Sequence, residues 1–157
     1  MSTVYIETTI PSFYFETRTT QEIAACRDVT RRWWDLHRKD YFPFTSNAVL
    51  TELARAPHEK AAKTLGLLKG IPVLTRPPEL EEVVAYYIEH RLLPSGSDGD
   101  AYHLAMASLH GMRFLLTWNC KHLANANKIR HMTVVNARLG LTTPVITTPW
   151  NLIGEAP

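Results

Sequence analysis

Short apolar, β-rich runs alternating with amphipathic helical segments predict an α/β fold, a central parallel sheet of four or five short strands flanked by helices. Three observations carry that prediction. The segments follow the order β-α-β-α-α-β-α-α-β-α-β, and such alternation implies crossover connections and a sheet covered on both faces. Two of the strand-like runs end abruptly on polar residues, Glu7 after TVYI and Thr117-Trp118-Asn119 after Phe114–Leu116. Finally, 157 residues without a repeat, a low-complexity tract or a linker make one domain, 1–157, large enough for a single core.

In chain order, Thr3–Ile6 reads as the first strand, stopped by Thr8, Thr9 and Pro11, because proline lacks the ladder amide. Thr20–Lys39 reads as a helix with an apolar stripe of Ile23, Cys26, Val29, Trp33 and Leu36. Trp33 and Trp34 are adjacent and cannot share a helix face, so one is expected in the core and the other at a rim or interface. Tyr41–Thr45 is a second strand, and Pro43 predicts an edge or terminal position. Ser46 or Asn47 caps a helix over Ala48–Arg55 that carries Glu52, and Pro57 ends it. Glu59–Lys69 is a further helix, with Ala62, Leu65 and Leu68 inward and Gly70 closing it. Ile71–Leu74 is a third strand, and Glu79–Leu93 a helix whose first-turn acids suit the helix dipole.

Pro94-Ser95-Gly96 then leads into Ser97–Leu123, the most informative stretch. It begins with Asp98 and Asp100, runs as a helix to His110-Gly111, continues as the strand Phe114–Leu116 and ends on the polar tip. Beyond it, a short basic helix over Cys120–Arg130, a final strand Thr133–Val135 and an extended tail with a last turn after Pro149 are expected.

Composition sets limits on function. A net charge of +2 forces no polyanionic partner by itself. Cys26 and Cys120 lack metal spacing and read as free thiols in a reducing compartment. No apolar run approaches the ~20 residues of a membrane span, and no signal pattern opens the chain, so a cytoplasmic protein with no membrane partner is expected.

The chemistry-bearing residues lie where a parallel sheet can gather them. Ligands bind outside the carboxyl ends of parallel strands. Glu7 and Asn119 follow strands, Asp100 opens a helix entered from the same edge, and Glu52 joins them if its helix crosses that edge. Carboxylates brought together repel unless a cation lies between them. All-oxygen ligation selects Mg²⁺ or Mn²⁺ over Zn²⁺. Each acid also has a structural role open to it: Asp100 as partner of a Ser97 cap, Asp98 as a dipole partner, Glu7 and Glu52 as solvated acids. Asp98-Gly99-Asp100 lacks the later ligands of a calcium loop, and His103 and His110 read as ordinary polar or capping groups.

Four segments resemble the PIN domain family, and within it the VapC-type toxin ribonucleases. They are Glu7 in YIETTIPSF, Glu52 in NAVLTELARA, Asp100 in DAYHLAMASLHGMRFLL, and Thr117-Trp118-Asn119. The likeness runs over nearly the whole chain, with the third and fourth segments the more specific. It implies a three-layer PIN-like fold and an endoribonuclease that uses Mg²⁺ or Mn²⁺ to cut single-stranded RNA. Such proteins are commonly homodimers, often held inactive by a small antitoxin.

Carried over, Glu7, Glu52, Asp100 and Asn119 form the catalytic and metal-binding set, supported by Thr8, Thr117 and Asp98. Arg31, Lys121, Lys128 and Arg130 are expected phosphate contacts. Trp33, Trp34 and the Leu65–Leu68 stripe are candidates for the dimer surface. The chain departs from the pattern twice: Glu7 stands where aspartate is usual, and Asn119 where an acid is usual. Weaker metal affinity and a preference for Mn²⁺ follow, because Mg²⁺ demands near-ideal octahedral geometry. A catalytically weak or inactive PIN-like module that binds RNA or a protein partner is the alternative.

Overall fold

Val4, Tyr5 and Ile6 are fully buried in succession, the continuous run expected of a parallel strand covered on both faces. This strand, β1 (Ser2–Ile6), is the middle of the sheet. The computed structural model describes residues 1–154. Around β1 lie β2 (Tyr41–Ser46), β3 (Val73–Leu74), β4 (Phe114–Leu116) and β5 (Val145–Thr147), in the order β3-β2-β1-β4-β5. Every neighbouring pair is parallel, with Val4 opposite Pro43 on one side and Phe114 on the other. Among the described residues, seven helices complete a three-layer α/β fold. They are α1 (Thr9–Tyr14), α2 (Gln21–Arg32), α3 (Asn47–Ala54), α4 (His58–Leu67), α5 (Leu80–Glu89), α6 (Asp98–Leu109) and α7 (Ala126–Arg138). None is long and apolar enough to cross a membrane.

The chain builds outward from β1 to β3, then crosses over and builds the other way through β4 and β5. The crevice between β1 and β4, at their carboxyl ends, is therefore a topological switch point, where open α/β sheets bind ligands. Helix α6 is buried on nearly all sides, through Ala101, His103, Leu104, Ala105, Met106, Ala107 and Ser108. Its alanines allow close approach, and Leu104, Leu115 and Leu116 at 0% exposure contribute about 1.5–3 kcal/mol each by burial. The first turn of α6 is thus anchored by a rigid core element.

Several expectations are corrected. Pro43 lies in an interior strand. On the β3 side, Thr45 N donates to Pro72 O at 2.9 Å, and Pro43 turns its nitrogen the same way two residues earlier. The two-residue β3 pairs only with Thr45 and Ser46, so the missing amide faces no strand. Trp33 and Trp34 are both buried, at 0% and 6%, while Leu36 is 57% exposed. After Arg32 the helix widens into a π turn, Trp33–His37, whose longer-range bonds rotate the following residues and swap the face. Both tryptophans are thereby removed as dimer-surface candidates. Helix α4 buries Ala61 and Thr64 rather than Ala62, which is exposed, while Leu68, just past its end, is buried as expected. The residues Thr9–Tyr14 form a short helix, α1, with Pro11 in its first turn, where a missing amide is tolerated.

The largest correction concerns the C-terminal third. Thr133–Val135 is helical, inside α7, and the fifth strand is Val145–Thr147, within the stretch expected to be an extended tail. The β-branched run favours a strand, but Met132, Val135 and Asn136 bury one face of α7 and Asn125 caps its start through Asn127 N. Tertiary packing overrides the local preference. A 3₁₀ turn, Pro149–Leu152, follows as expected.

Candidate functional site

Glu7 leaves β1 directly at the switch point and is 4% exposed. Its Oε1 accepts three hydrogen bonds, from Thr9 N at 3.0 Å, Thr9 Oγ1 at 2.5 Å and Thr117 Oγ1 at 2.7 Å. None of these falls on Oε2. Thr117, the first residue beyond β4, is fully buried and in turn accepts from Asn119 N at 2.9 Å. Asn119 donates through Nδ2 to Asp100 Oδ1 at 3.0 Å, and its carbonyl accepts from His122 N at 3.0 Å. The backbone amide of His122 needs an acceptor, which fixes the orientation of the Asn119 amide. Asp100, third residue of α6, therefore faces an N–H.

Glu52 arrives on α3. Ser46 caps that helix, its hydroxyl accepting from Val49 N at 3.4 Å. The Glu52 carboxylate accepts from His103 Nε2 at 2.6 Å, and Gly99 is close enough that an added Cβ would lie 3.8 Å from Glu52 Oε1. A continuous path of contacts thus runs from Glu7 through Thr117 and Asn119 to Asp100, and across the first turn of α6 to Glu52. All four positions singled out in the sequence lie along this path, and the charges of Glu7, Glu52 and Asp100 all reach His103.

His103, read from the sequence as an ordinary polar or capping group, is a buried link between Tyr5 and Glu52. It lies one turn beyond Asp100 on α6, is 1% exposed, and its Nδ1 meets Tyr5 Oη at 2.7 Å. Tyr5 Oη also meets Ser46 Oγ at 2.7 Å. With His103 neutral, Ser46 donates to Tyr5, Tyr5 to His103 and His103 to Glu52; with His103 protonated, the first two bonds reverse and His103 still donates to Glu52. Burial alone would lower the His103 pKa, but the Glu52 hydrogen bond and the charges of Glu7, Glu52 and Asp100 raise it. Burial would raise the Glu52 pKa, and His103, with help from Thr8 and Arg55, instead holds it below the usual carboxylate range. The Tyr5 hydroxyl is pushed well up, first by burial and further by Glu7 and Glu52, with Ser46 opposing. The signal was present in the sequence, since Asp100 and His103 are three apart and share a helix face. What it lacked was any sign that this face meets Tyr5 and Glu52.

No family model and no curated protein matches this chain.

The supporting positions divide. Thr117 belongs to the site, and Thr9, which was not singled out for it, holds Glu7 beside it. The Thr8 hydroxyl is buried near Glu52 without a hydrogen-bond partner of good geometry. Asp98 is exposed at the start of α6, and Ser97 makes no side-chain cap bond. Of the expected phosphate contacts, Lys121 is exposed two residues beyond Asn119. Lys128 and Arg130 are on α7, and Arg31 is engaged with Tyr14, donating to its carbonyl at 2.7 Å. His110 lies apart from the site, with Nε2 against Thr75 O.

Among the described residues no group of three or more His, Cys, Asp or Glu side chains is placed to hold a metal ion. Each carboxylate is instead tied to its own partner, Glu7 to Thr117, Glu52 to His103 and Asp100 to Asn119. A dedicated all-protein cage is not what Mg²⁺-type sites use; they keep several waters and take one or two carboxylates plus substrate phosphate. Glu7 and Asp100 each use one carboxylate oxygen in these bonds, Oε1 and Oδ1, and that is what this structure offers toward such an open, hydrated site.

Proposed function

We propose that this protein is a divalent-metal-dependent endoribonuclease acting on single-stranded RNA, of the PIN-domain, VapC-type toxin kind. The observation that carries the reading is the convergence of Glu7, Glu52 and Asp100, with Asn119, at the switch point of a parallel sheet. Glu7, Glu52 and Asp100 would hold Mg²⁺ or Mn²⁺, which when bound activates water and stabilises charge on a phosphate undergoing in-line displacement. Thr9 and Thr117 fix Glu7 through Oε1 and leave Oε2 for the site. His103 fixes Glu52, and Asn119 acts on the site through Asp100. Glu7 or Asp100 is the candidate base for the attacking water. Lys121, Lys128, Arg130 and Arg31 are the candidate cations for the substrate backbone.

The test incubates purified protein with structured and single-stranded RNAs in Mn²⁺, with and without chelator. Cleavage is expected on single strands, abolished by chelator and by Asp100→Asn. Cleavage that persists in Asp100→Asn would assign the activity to a contaminant. A second reading, a PIN-like module that binds RNA or protein without cutting, is favoured by Asn119 in place of an acid. It predicts RNA retention that tolerates Asp100→Ala and no divalent-ion binding. A small antitoxin and a homodimer are the partners this reading carries. Toxicity on expression that a small neighbouring gene product relieves would identify the former.

A further inference from the structure

A cleft of about 570 Å³ opens beside Glu52, between α3, α5 and the first two turns of α6. Its apolar wall is Leu74, Leu80 and Met106, and its polar lining includes Arg55, Arg76 and Tyr102 together with the acids Glu52 and Asp98. None of these side chains hydrogen-bonds Glu7, Glu52 or Asp100, and only Arg55 acts on one of them, through its charge on Glu52. We propose that this cleft is a subsite for one nucleotide of a single-stranded nucleic acid, seated next to the phosphate that the carboxylates address. The proposal rests on the endoribonuclease reading and adds the place where the neighbouring base and phosphate lie.

Four features favour this occupant. The volume falls within the roughly 300–1,000 Å³ of small-ligand sites, suited to a nucleotide and too small for a duplex. The cleft shares Glu52 with the carboxylate crevice, so a chain crossing one passes the other. Arg76 and Tyr102 supply the surfaces on which splayed bases stack, a guanidinium plane and a phenol ring. The Arg76 guanidinium is already 5.6 Å from the Tyr102 ring centre and donates to its hydroxyl, held there by Glu81. Arg55, in contrast, is exposed and has no ion pair among the described residues apart from its long-range pull on Glu52. It is a cation at the mouth of an apolar cleft, placed for a phosphate. A peptide would also find an apolar wall, but the Arg55 guanidinium, unpaired among the described residues, and the Tyr102 phenol around one mouth match phosphate plus base better.

The test measures equilibrium binding of a short, non-cleavable 2′-O-methyl oligonucleotide in chelator, so that neither metal nor cleavage enters. Wild-type protein is compared with Arg55→Ala, an exposed change that leaves the core intact, and with Tyr102→Leu. A photoreactive 4-thiouridine oligonucleotide then maps the contact by mass spectrometry. Affinity should fall on the order of tenfold or more in Tyr102→Leu, and less but measurably in Arg55→Ala, with a flatter salt dependence. The cross-link should fall on Tyr102 or Arg76. Unchanged affinity in both variants, a cross-link confined to other elements, or no binding by wild type would overturn the subsite. If RNA is still cut in Mn²⁺ in that case, the endoribonuclease reading survives without it. Binding that depends on Tyr102 and Arg55 in a protein that cuts nothing would uphold the subsite and remove the nuclease.

Discussion

Tyr5→Phe removes one oxygen atom from the row that orients Glu52 and changes almost nothing in shape. Tyr5, His103 and Ser46 are 0%, 1% and 1% exposed, and the tyrosine hydroxyl meets the other two at 2.7 Å each. Its loss leaves His103 Nδ1 without a partner and Ser46 Oγ with only the long bond from Val49 N. A buried polar group left unsatisfied costs about 1–3 kcal/mol. Two such groups, one partly relieved, give an expected destabilisation of about 2–4 kcal/mol, a large share of the ~5–15 kcal/mol of a typical domain. Urea unfolding should show it as a lower midpoint at unchanged slope. His103 also loses its anchor, so Mn²⁺ affinity should fall with stability.

Tyr87→Phe is the control. That hydroxyl is likewise buried, bonded to Asn136 of α7, which in turn donates to Ser108 at the far end of α6, and its pKa is pushed up to about 12, chiefly by burial. It should destabilise the fold without touching Mn²⁺ affinity. A Tyr5→Phe loss below about 0.5 kcal/mol, or equal weakening of Mn²⁺ binding by both variants, would refute the relay from Tyr5 to Glu52.

Three further expectations concern other parts of the molecule. Asn119→Asp replaces the N–H that faces Asp100 with a second carboxylate, so it should lower the melting temperature in chelator and gain more from Mn²⁺ than wild type does; equal responses would detach Asn119 from the metal. Arg18 grips Glu16 with two bonds of 2.9 Å and, with backbone amides of Arg18 and Thr17, lowers its pKa from 4.5 to about 2 against the opposing effect of burial. A lowered folded-state pKa stabilises above the unfolded value, so that contribution should fade from pH 4.5 down to about 2, and Glu16→Gln should flatten the acid limb of a stability–pH curve. Leu36→Ser should be nearly neutral, within about 0.5 kcal/mol, whereas Trp34→Ala should cost about 3–5 kcal/mol; the reverse order in urea unfolding would contradict the π turn.

The parts of the fold legible in the sequence were those where periodicity and end signals agreed. The alternating order, β1, β2 and β4, and an α6 opening on two acids all belong to this class. The convergence at the crevice was legible for a related reason: residues just beyond parallel strands, or at the start of a helix entered from that edge, have few other places to be. The misses share a different cause, long-range packing. Nothing local to Thr133–Val135 reports that Met132 and Val135 bury a helix face, and nothing local to Pro43 reports that β3 stops short of it. The π turn reversed the roles of Trp34 and Leu36 because a single widened turn breaks the periodicity on which the reading depended. His103 was hidden because its partners come from residues 5 and 52, far away in sequence.

The central claim is that Glu7, Glu52 and Asp100 hold a divalent ion. Electron paramagnetic resonance of added Mn²⁺ tests it without reference to any RNA, by reading the loss of free-ion signal as the protein is titrated. Wild-type protein should take up Mn²⁺ with saturable stoichiometry, and Asp100→Asn and Glu52→Gln should each weaken that uptake by on the order of tenfold or more. Uptake that is absent in wild type, or undiminished in both variants, would contradict the account.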